Sequence, residues 1–236
     1  MVCRHLPLLL SFDNGMRRSS DLPKLIAVAG RKRSGKGTAA KWLMEQHGYE
    51  LVKFAEPLKA MMRTFFRQWS LDEETIERLI EGDLKEVCLP LSQDMEGVPL
   101  ALAKVKMGGK STRHAMQTLG TEWRDMLSTT LWMDIAEVRI REHLDHGRRV
   151  VIDDLRFTHE VNKISELGGA MIKVTNARLP SSTETHASEQ ELDDSIFSCV
   201  VQNDGTFDEF HKRLGKQLYD IYSPEERVDT ALAFRF

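Results

Sequence analysis

The sequence predicts an α/β fold in which a parallel β-sheet carries helices on both faces. Short apolar runs recur along the chain, and segments with helical spacing separate them. The first run, Leu25-Ile26-Ala27-Val28-Ala29, has the continuous apolar character of a strand that is buried on both faces. Strands that alternate with helices pair in parallel through crossover connections, and this arrangement covers both faces of the sheet.

The elements of the first half follow from spacing and from proline position. After the strand at 25–29, a helix is predicted over 35–47 and a second strand over 49–54. Pro57 then occupies the favoured first position of another helix. The apolar side chains of that helix follow a spacing that places them on one face. They are Leu58, Met61, Met62, Phe65, Phe66 and Trp69.

Capping residues mark the helices of the middle region. Asp72 can cap one helix, and Ser111 can cap another that runs towards Leu119. Between them, residues 83–110 are rich in Pro, Gly and Lys and are predicted to form an irregular, mobile excursion. A longer helix is predicted over 132–146.

The carboxyl-terminal half repeats the alternation. One predicted strand ends in two consecutive acids, Asp153 and Asp154. A glycine pair, Gly168-Gly169, separates the helix that follows from the next strand. The predicted elements are strands over 149–154, 170–174 and 199–201 and helices over 160–167 and 207–221.

Composition restricts the class of protein. Of the 236 residues, 41% are hydrophobic and 29% are charged, which is typical of a globular chain. The net charge of −3 makes a nucleic-acid partner unexpected, because no global basic field is present. No apolar run approaches the roughly 20 residues of a membrane helix, so no membrane partner is expected. The three cysteines lack metal spacing and indicate a reducing cytosol.

A phosphate-binding loop follows the first strand. Residues 30–38 read Gly-Arg-Lys-Arg-Ser-Gly-Lys-Gly-Thr and open the first helix, which is the context that a P-loop requires. Glycines allow backbone amides to close around phosphate oxygens, and the helix amino terminus favours negative charge. The lysine can reach the β- and γ-phosphates. The predicted ATP-binding residues are Gly30, Arg33, Ser34, Gly35, Lys36, Gly37 and Thr38.

The loop departs from the commonest pattern at one position. Gly37 stands where Ser or Thr usually follows the lysine, and the hydroxyl comes one residue later, at Thr38. Adenylate-kinase-like loops also carry Gly-Lys-Gly-Thr, so the departure favours a small-molecule kinase. Thr38 is predicted to contact the α-phosphate or the magnesium shell.

Further segments resemble the deoxynucleoside monophosphate kinases, a family best known from bacteriophages. The Lys-Arg-Ser-Gly-Lys core of the P-loop resembles theirs, although Gly37 stands where they often have Asp. The resemblance continues through Phe-Ala-Glu-Pro-Leu-Lys at 54–59, Leu-Gly-Thr-Glu at 119–122 and Asp-Leu-Arg-Phe at 154–157. His-Ala-Ser-Glu at 186–189 and Asn-Asp-Gly-Thr at 203–206 complete it.

The resemblance implies a fold, an activity and an assembly. The fold is the P-loop nucleotide-kinase fold with a five-stranded parallel sheet, formed by residues 24–236 after an irregular arm at 1–23. A substrate-binding insertion is expected at about 55–146 and a lid at about 176–195. The activity is transfer of the ATP γ-phosphoryl group, with Mg²⁺, to a deoxynucleoside 5′-monophosphate for DNA precursor synthesis. A homodimer is expected, in the cytoplasm of the cell or of a host if the chain is phage-encoded.

The acceptor site is predicted from the same motifs. A nucleoside monophosphate carries close to two negative charges at neutral pH, so convergent arginines suit its phosphate. Arg156 is favoured for this contact, ahead of Arg124 and Arg113. Each side chain also has an ordinary structural alternative, such as a salt bridge, a core position or a helix cap. The predicted acceptor residues are Phe54, Lys59, Arg113, Gln117, Arg124, Trp132, Asp154, Arg156 and Glu160.

Three groups are predicted to take part in catalysis. They are Lys36, Arg156 and Arg178, the last from the lid segment. Asp154 is predicted to hold substrate or, through water, the metal. Because the acceptor phosphate is already anionic, no general base is required.

Two other functions share the donor site. One is a P-loop kinase that acts on hydroxymethylated bases in phage DNA, which would need a DNA-binding track. The other is a nucleotide-binding ATPase or switch without a small acceptor. The net charge of −3 disfavours the DNA kinase, and the clustered arginines and Trp132 favour an acceptor pocket over the ATPase or switch.

Overall fold

Five parallel strands form the central sheet of the computed structural model, which describes residues 22–90, 97–179 and 192–222. The spatial order is β2-β3-β1-β4-β5, and every neighbouring pair is parallel, as predicted. Strands in this order bring the carboxyl ends of β1 and β3 side by side, beneath the loops that follow them. The strands are β1 (Leu25–Ala29), β2 (Tyr49–Val52), β3 (Arg149–Leu155), β4 (Ala170–Thr175) and β5 (Cys199–Gln202).

The described helices lie between the strands, at the positions that the caps and spacing predict. Asp72 accepts a hydrogen bond from the Thr75 amide at 2.8 Å, and Ser111 accepts one from the His114 amide at 3.2 Å. A π-helical turn over Leu119–Trp123 joins the fourth helix to the fifth. The helices are α1 (Lys36–His47), α2 (Glu56–Gln68), α3 (Glu73–Ile80), α4 (Thr112–Thr118), α5 (Arg124–Leu127), α6 (Leu131–Asp145), α7 (Thr158–Glu166) and α8 (Phe207–Tyr222).

Three hydrophobic clusters hold these elements together. One lies between the sheet and helices α1 and α8, and a second lies on the opposite face beneath α6 and α7. The third belongs to the region between β2 and β3, where α2, α3 and α4 pack on one another and on Trp132. The helical insertion therefore has a core of its own, which fixes it above the carboxyl edge of the sheet.

The predicted apolar face of α2 is wrong for two of its residues. Leu58, Met62 and Phe66 are buried, whereas Met61 and Phe65 are each 40% exposed. The buried residues are four apart and form a single row along the helix, and this row contacts the third cluster. The second row lies on the outer side of the insertion.

The region over 83–110 is more ordered than predicted. Leu84, Leu89, Leu102 and Val105 are buried in the third cluster. A two-residue antiparallel pair joins 88–89 to 110–111, and residues 91–96 lie outside the described part of the chain. The apolar residues of this region override its Pro and Gly content, because burying them stabilises the irregular backbone around them.

Two boundaries also differ from the prediction. The second strand ends at Val52 and not at Phe54, because the amides of Phe54 and Ala55 bond to a side chain instead of to the sheet. Before β1, Leu22 is already buried in the first cluster, and Tyr49 donates a hydrogen bond to the Pro23 carbonyl. Within the described residues, no helix is both long and apolar enough to cross a membrane.

Candidate active site

The loop between β1 and α1 has the backbone conformation of a phosphate cradle. Gly30 and Gly35 adopt φ values of +142° and +111°, which side chains other than glycine rarely adopt. A Cβ on Gly30 would lie 2.2 Å from the Val174 carbonyl oxygen, and one on Gly35 would lie 2.2 Å from Asn203 Nδ2. Both positions therefore require glycine, as the P-loop motif predicts. Arg33 also has a positive φ, 66°, at the tip of the turn.

The loop lysine lies over its own backbone. Lys36 Nζ donates to the Gly30 carbonyl at 2.6 Å and to the Arg31 carbonyl at 2.8 Å. The ammonium group is thus held above the same concavity that the loop amides and the start of α1 enclose. A polyphosphate in this concavity would meet the lysine, the amides and the positive end of the helix together.

The last strand of the sheet supports this loop from below. Asn203, directly after β5, donates from Nδ2 to the Ser34 carbonyl at 2.8 Å, while its own amide donates to the Thr175 carbonyl at 2.7 Å. Ser34 is buried, and its hydroxyl has no hydrogen-bond partner among the described residues. The conformation of the loop is therefore fixed by a residue that lies 169 positions further along the chain.

A cavity of about 320 Å³ opens between the sheet edge and the helical insertion. Its walls come from the turn after β2, from α2, from the helical stretch over 112–127, from α6 and from the end of β3 with the start of α7. All nine residues predicted for the acceptor site line this cavity. They are Phe54, Lys59, Arg113, Gln117, Arg124, Trp132, Asp154, Arg156 and Glu160.

Positive charge predominates on the cavity wall. Six cationic side chains line it against three carboxyl groups. Burial, with the nearby Lys59 charge, lowers the pKa of Lys85 below its usual value. An anion that entered would relieve this repulsion, so the cavity suits a phosphate-bearing ligand. The cations are Lys53, Lys59, Lys85, Arg113, Arg124 and Arg156, and the acids are Asp153, Asp154 and Glu160.

Asp154 connects β3 to the turn that begins α2. Its Oδ1 accepts from the Phe54 amide at 3.1 Å, and its Oδ2 accepts from the Ala55 amide at 3.0 Å. Burial raises the pKa of this carboxyl above its usual value, although the Ala55 and Phe54 amides and Arg156 oppose the shift. Both oxygens are therefore engaged in holding the wall that carries Phe54, which does not favour the predicted metal role of Asp154.

The side chain of Asp153 lies beside the phosphate loop, at a point where β3 departs from regular pairing with β1. Its Oδ2 lies 3.8 Å from where a Cβ on Gly37 would stand, and 3.5 Å from Lys53 Nζ. Its Oδ1 is buried without a hydrogen-bond partner among the residues that the structure describes. Of the two acids, Asp153 is thus the one beside the phosphate loop.

Glu160 caps the start of α7 and positions Arg156. Its Oε2 accepts from the amides of Arg156 at 2.7 Å and of Phe157 at 3.0 Å. Burial raises the pKa of Glu160 to about 7, against the lowering effect of these two amides. The structural alternative of a helix cap is therefore present for Glu160, and the same contact holds the backbone of Arg156. The carboxyl group acts on the backbone of Arg156, and the guanidinium group of that exposed arginine extends to the cavity.

Aromatic side chains form the apolar part of the wall. Trp132 is buried, stacks on Trp123 at 5.6 Å between ring centroids, and donates from Nε1 to the Leu119 carbonyl at 3.2 Å. It therefore combines the predicted core role with a place on the cavity wall. Phe54 does the same, since it is buried in the second cluster. Phe157 lies beneath the Arg124 guanidinium, 5.8 Å from the ring centroid.

Three of the predicted cations are paired with acids at the cavity rim. Lys59 is paired with Glu81, Arg113 with Glu86 at 3.3 Å, and Arg124 with Asp125 at 2.7 Å. These pairs hold the long side chains in place.

Glu86 also lies 3.8 Å from Lys32 of the phosphate loop. The donor loop and the acceptor wall therefore share a contact. Gln117, on α4, lines the acceptor cavity, and its backbone carbonyl accepts from the Thr121 hydroxyl at 2.7 Å.

Arg178 lies apart from this cavity. It is exposed just after β4, its amide donates to Asn176 Oδ1 at 2.9 Å, and its charge contributes to lowering the pKa of Asp204 after β5. It is therefore on the side of the phosphate loop that faces β4 and β5. Residues 180–191, which include most of the predicted lid and the His186, Ser188 and Glu189 motif, lie outside the described residues.

Several cavity residues were not predicted. Lys53, Lys85, Thr121, Phe157 and His159 line the wall but are not among the predicted acceptor residues. Phe157 stood inside the quoted Asp-Leu-Arg-Phe signature, and Lys53 directly precedes the Phe-Ala-Glu-Pro-Leu-Lys segment. Their position next to motif residues was the signal that the sequence offered.

The sequence of the chain is similar to those of known kinases. The family model for deoxynucleotide monophosphate kinase matches residues 24–89 and 101–214. A candidate deoxynucleotide monophosphate kinase of Acanthamoeba polyphaga mimivirus is 29% identical over 202 residues, which covers 80% of this chain and 93% of the viral protein.

Solved structures give weaker likenesses. Dephospho-CoA kinase from Campylobacter jejuni aligns over 84% of this chain and 97% of its own, with 12% identity and a TM-score of 0.43. The protein TT1252 from Thermus thermophilus aligns over the same shares, with 18% identity and a TM-score of 0.44.

Proposed function

Because the chain belongs to the deoxynucleotide monophosphate kinase family, a family of nucleotide kinases, we propose that it transfers the γ-phosphoryl group of magnesium-bound ATP to the 5′-phosphate of a deoxynucleoside monophosphate. The observation that carries this proposal is the position of the acceptor cavity. A cation-lined cavity of about 320 Å³ lies beside the phosphate loop, because Asp153 lines the cavity and its Oδ2 lies 3.8 Å from where a Cβ on Gly37 would stand. Two anionic ligands can thus be held with their phosphates adjacent.

The donor nucleotide is assigned to the loop over 30–38. Its amides and the start of α1 surround the phosphates, and Lys36 exchanges its carbonyl partners for the β- and γ-phosphate oxygens. Arg33 at the tip of the turn and Thr38 in the first turn of α1 complete the predicted contacts.

Magnesium is assigned to Thr38 and Asp153. Mg²⁺ prefers oxygen ligands and keeps several waters, so a hydroxyl and one carboxylate beside the phosphates suffice. The buried Oδ1 of Asp153, which has no hydrogen-bond partner within the described part of the chain, fits this requirement, whereas both oxygens of Asp154 bond to amides. Bound there, the ion would neutralise charge on the β- and γ-phosphates. The metal role predicted for Asp154 accordingly passes to its neighbour.

The acceptor is assigned to the cavity. Arg156, Arg124 and Arg113 supply planar donors for its phosphate, and Lys59 adds charge. Phe54, Trp132 and Gln117 lie on the same wall and would contact the base, while Glu160 holds the Arg156 backbone in position. Catalysis then consists of alignment and charge neutralisation, since the acceptor phosphate, with a second pKa of about 6, is already ionised.

The remaining assignments complete the proposal. Residues 55–146 form the substrate-binding region, 176–195 form a lid, and Arg178 closes over the transferring group from the lid side. A homodimer in the cytoplasm, or in host cytoplasm for a virus-encoded chain, is the proposed state.

An acceptor-dependent assay tests the function. ADP formation from ATP and Mg²⁺ is measured with each deoxynucleoside monophosphate in turn, and with no acceptor. We expect ADP to form only with an acceptor, and the matching diphosphate to appear in equal amount. Acceptor-independent hydrolysis would instead indicate an ATPase or switch, and a response to hydroxymethylated DNA alone would indicate the DNA-modifying alternative.

A further inference from the structure

We propose that Lys53 is a further catalytic residue of this reaction, placed by Asp153 where the donor and acceptor phosphates meet. The inference rests on the proposed function and deepens it. No motif marks Lys53, which lies in the turn after β2, and the acceptor residues predicted from the sequence do not include it.

Strand register places the two residues together. Val52 of β2 pairs in parallel with Ile152 of β3, so Lys53 and Asp153 are the next residues of each strand. Leu51 and Val151, two positions before them, pack in the first cluster, on the side of α1. Side chains two residues apart share a face, so Lys53 and Asp153 also project towards the side of α1 and its phosphate loop. Phe54 and Asp154 project to the opposite side.

The distances agree with this register. Lys53 Nζ lies 3.5 Å from Asp153 Oδ2, and the same oxygen lies 3.8 Å from where a Cβ on Gly37 would stand. Gly37 directly follows Lys36, whose predicted targets are the β- and γ-phosphates. Both Lys53 and Asp153 also line the acceptor cavity. The ammonium group therefore lies between the two phosphate sites.

The pair differs from a purely structural ion pair. Direct charge-assisted hydrogen bonds are about 2.7–2.9 Å long, and the 3.5 Å separation between Lys53 Nζ and Asp153 Oδ2 is longer than that. Lys163 provides the contrast. It is similarly half-buried, with 22% of its side chain exposed against 28% for Lys53, and contacts Glu137 and Glu166 at 3.0 Å each. It does not line the cavity.

The chemical step requires charge and no proton transfer from Lys53. An oxygen of the acceptor phosphate forms the new bond to the γ-phosphorus, and the bond from that phosphorus to the bridging oxygen breaks. The bridging oxygen leaves with the electron pair as ADP. Lys53 keeps its proton and offsets the negative charge on the oxygens of the transferring group, where charge is spread in the transition state.

A bisubstrate analogue separates this role from ordinary binding. The analogue joins adenosine to a deoxynucleoside through five phosphates, so it places phosphate at the junction that neither nucleotide occupies alone. Binding of the analogue, of ATP and of the monophosphate is measured by calorimetry for wild type, Lys53→Met, Lys53→Arg and Lys163→Met. Steady-state rates and thermal unfolding are recorded for the same four proteins.

We expect Lys53→Met to lower kcat by about 10²-fold, the loss typical of one electrostatic stabiliser. Its affinity for the analogue should fall about tenfold or more, while its affinity for each separate nucleotide changes less. Lys53→Arg should recover part of both losses. Lys163→Met should match wild type in rate and affinity, with any change confined to the melting temperature.

Two results would overturn the inference. One is a folded Lys53→Met protein that retains wild-type kcat and wild-type affinity for the analogue. The other is a loss of rate that the melting temperature and both single-nucleotide affinities explain fully. Failure of the proposed function is distinguishable, because wild type itself would then form no ADP in response to a monophosphate.

Discussion

The donor loop and the acceptor cavity adjoin each other at one edge of the sheet, but the chain builds them in opposite ways. Nine consecutive residues, 30–38, supply the donor site, mostly through backbone amides. The acceptor cavity takes side chains from the turn after β2, from five helices (α2, α4, α5, α6 and α7) and from the end of β3. A contiguous backbone site is recognisable by local pattern, whereas a site of dispersed side chains depends on how the helices pack.

The largest expected effect comes from the donor side. Lys36→Ala should lower kcat by about 10²–10³-fold, because it removes the cation that the β- and γ-phosphates would contact. Its bonds to the Gly30 and Arg31 carbonyls lie within the loop, so the melting temperature should stay close to that of wild type. ADP formation and thermal unfolding check both statements. Near-normal turnover would remove the donor loop from the mechanism.

On the acceptor side, Arg156→Met should act selectively. Loss of a charge-assisted contact to the acceptor phosphate is expected to raise the KM for the monophosphate by about 10–100-fold and to leave ATP affinity unchanged. Arg156→Lys is the matched control, since it keeps the charge but not the planar pair of donors. If the affinities for ATP and for the monophosphate fell equally, the assignment of Arg156 to the acceptor site alone would be wrong.

Asp154→Ala tests whether the cavity depends on its supporting contacts. The Phe54 and Ala55 amides would lose their acceptors, which costs about 1–3 kcal/mol of unfolding free energy. The wall carrying Phe54 should loosen, and the KM for the monophosphate should rise about tenfold through imprecise positioning. Steady-state kinetics and denaturant unfolding measure the two effects. Asp154→Asn, which keeps one acceptor oxygen, should fall between this variant and wild type.

The last prediction concerns the pH dependence of stability alone. The folded carboxyl of Glu160 has a pKa of about 7, raised by burial from 4.5, so the folded state retains a proton that the unfolded state releases. This contribution to stability is fully present below pH 4.5 and is lost as pH rises through 7. Between these limits wild type should lose roughly 3 kcal/mol relative to Glu160→Gln.

Denaturant unfolding from pH 4.5 to pH 8 measures the difference in slope. The variant Glu45→Gln, on the exposed surface of α1, serves as the control. Parallel pH profiles for wild type and Glu160→Gln would contradict the prediction, because they would show that the carboxyl group has the same pKa in the folded and unfolded states.

How much of the site was predictable follows from the same contrast. The donor loop was predictable from the sequence because its strand, glycines and lysine follow one another directly along the chain. The nine acceptor residues came from motif resemblance, and the structure places all of them on one cavity. Asp153 and Asp154 are adjacent in the sequence, and β3 departs from regular pairing with β1 between Ile152 and Leu155. Which of the two acids faces the loop therefore depends on packing between distant segments.

The residues that the sequence did not predict correctly also depend on packing between distant segments. Met61 and Phe65 fit the apolar spacing of α2 as well as Met62 and Phe66 do, and only the position of α3 and α4 selects the buried row. Lys53 shows no pattern of its own in the sequence. Its significance comes from the register between β2 and β3, which a single sequence does not specify.

The Asn203 contact to Ser34 has a consequence for synthesis of the chain. The ribosome releases the first strand and its loop early, but the side chain that holds the loop in shape emerges 169 residues later. An incomplete chain that ends before Asn203 therefore lacks the hydrogen bond that supports its phosphate loop. We therefore expect the nascent chain to bind a nucleoside triphosphate only after β5 and Asn203 have been synthesised, so that incomplete chains do not bind ATP.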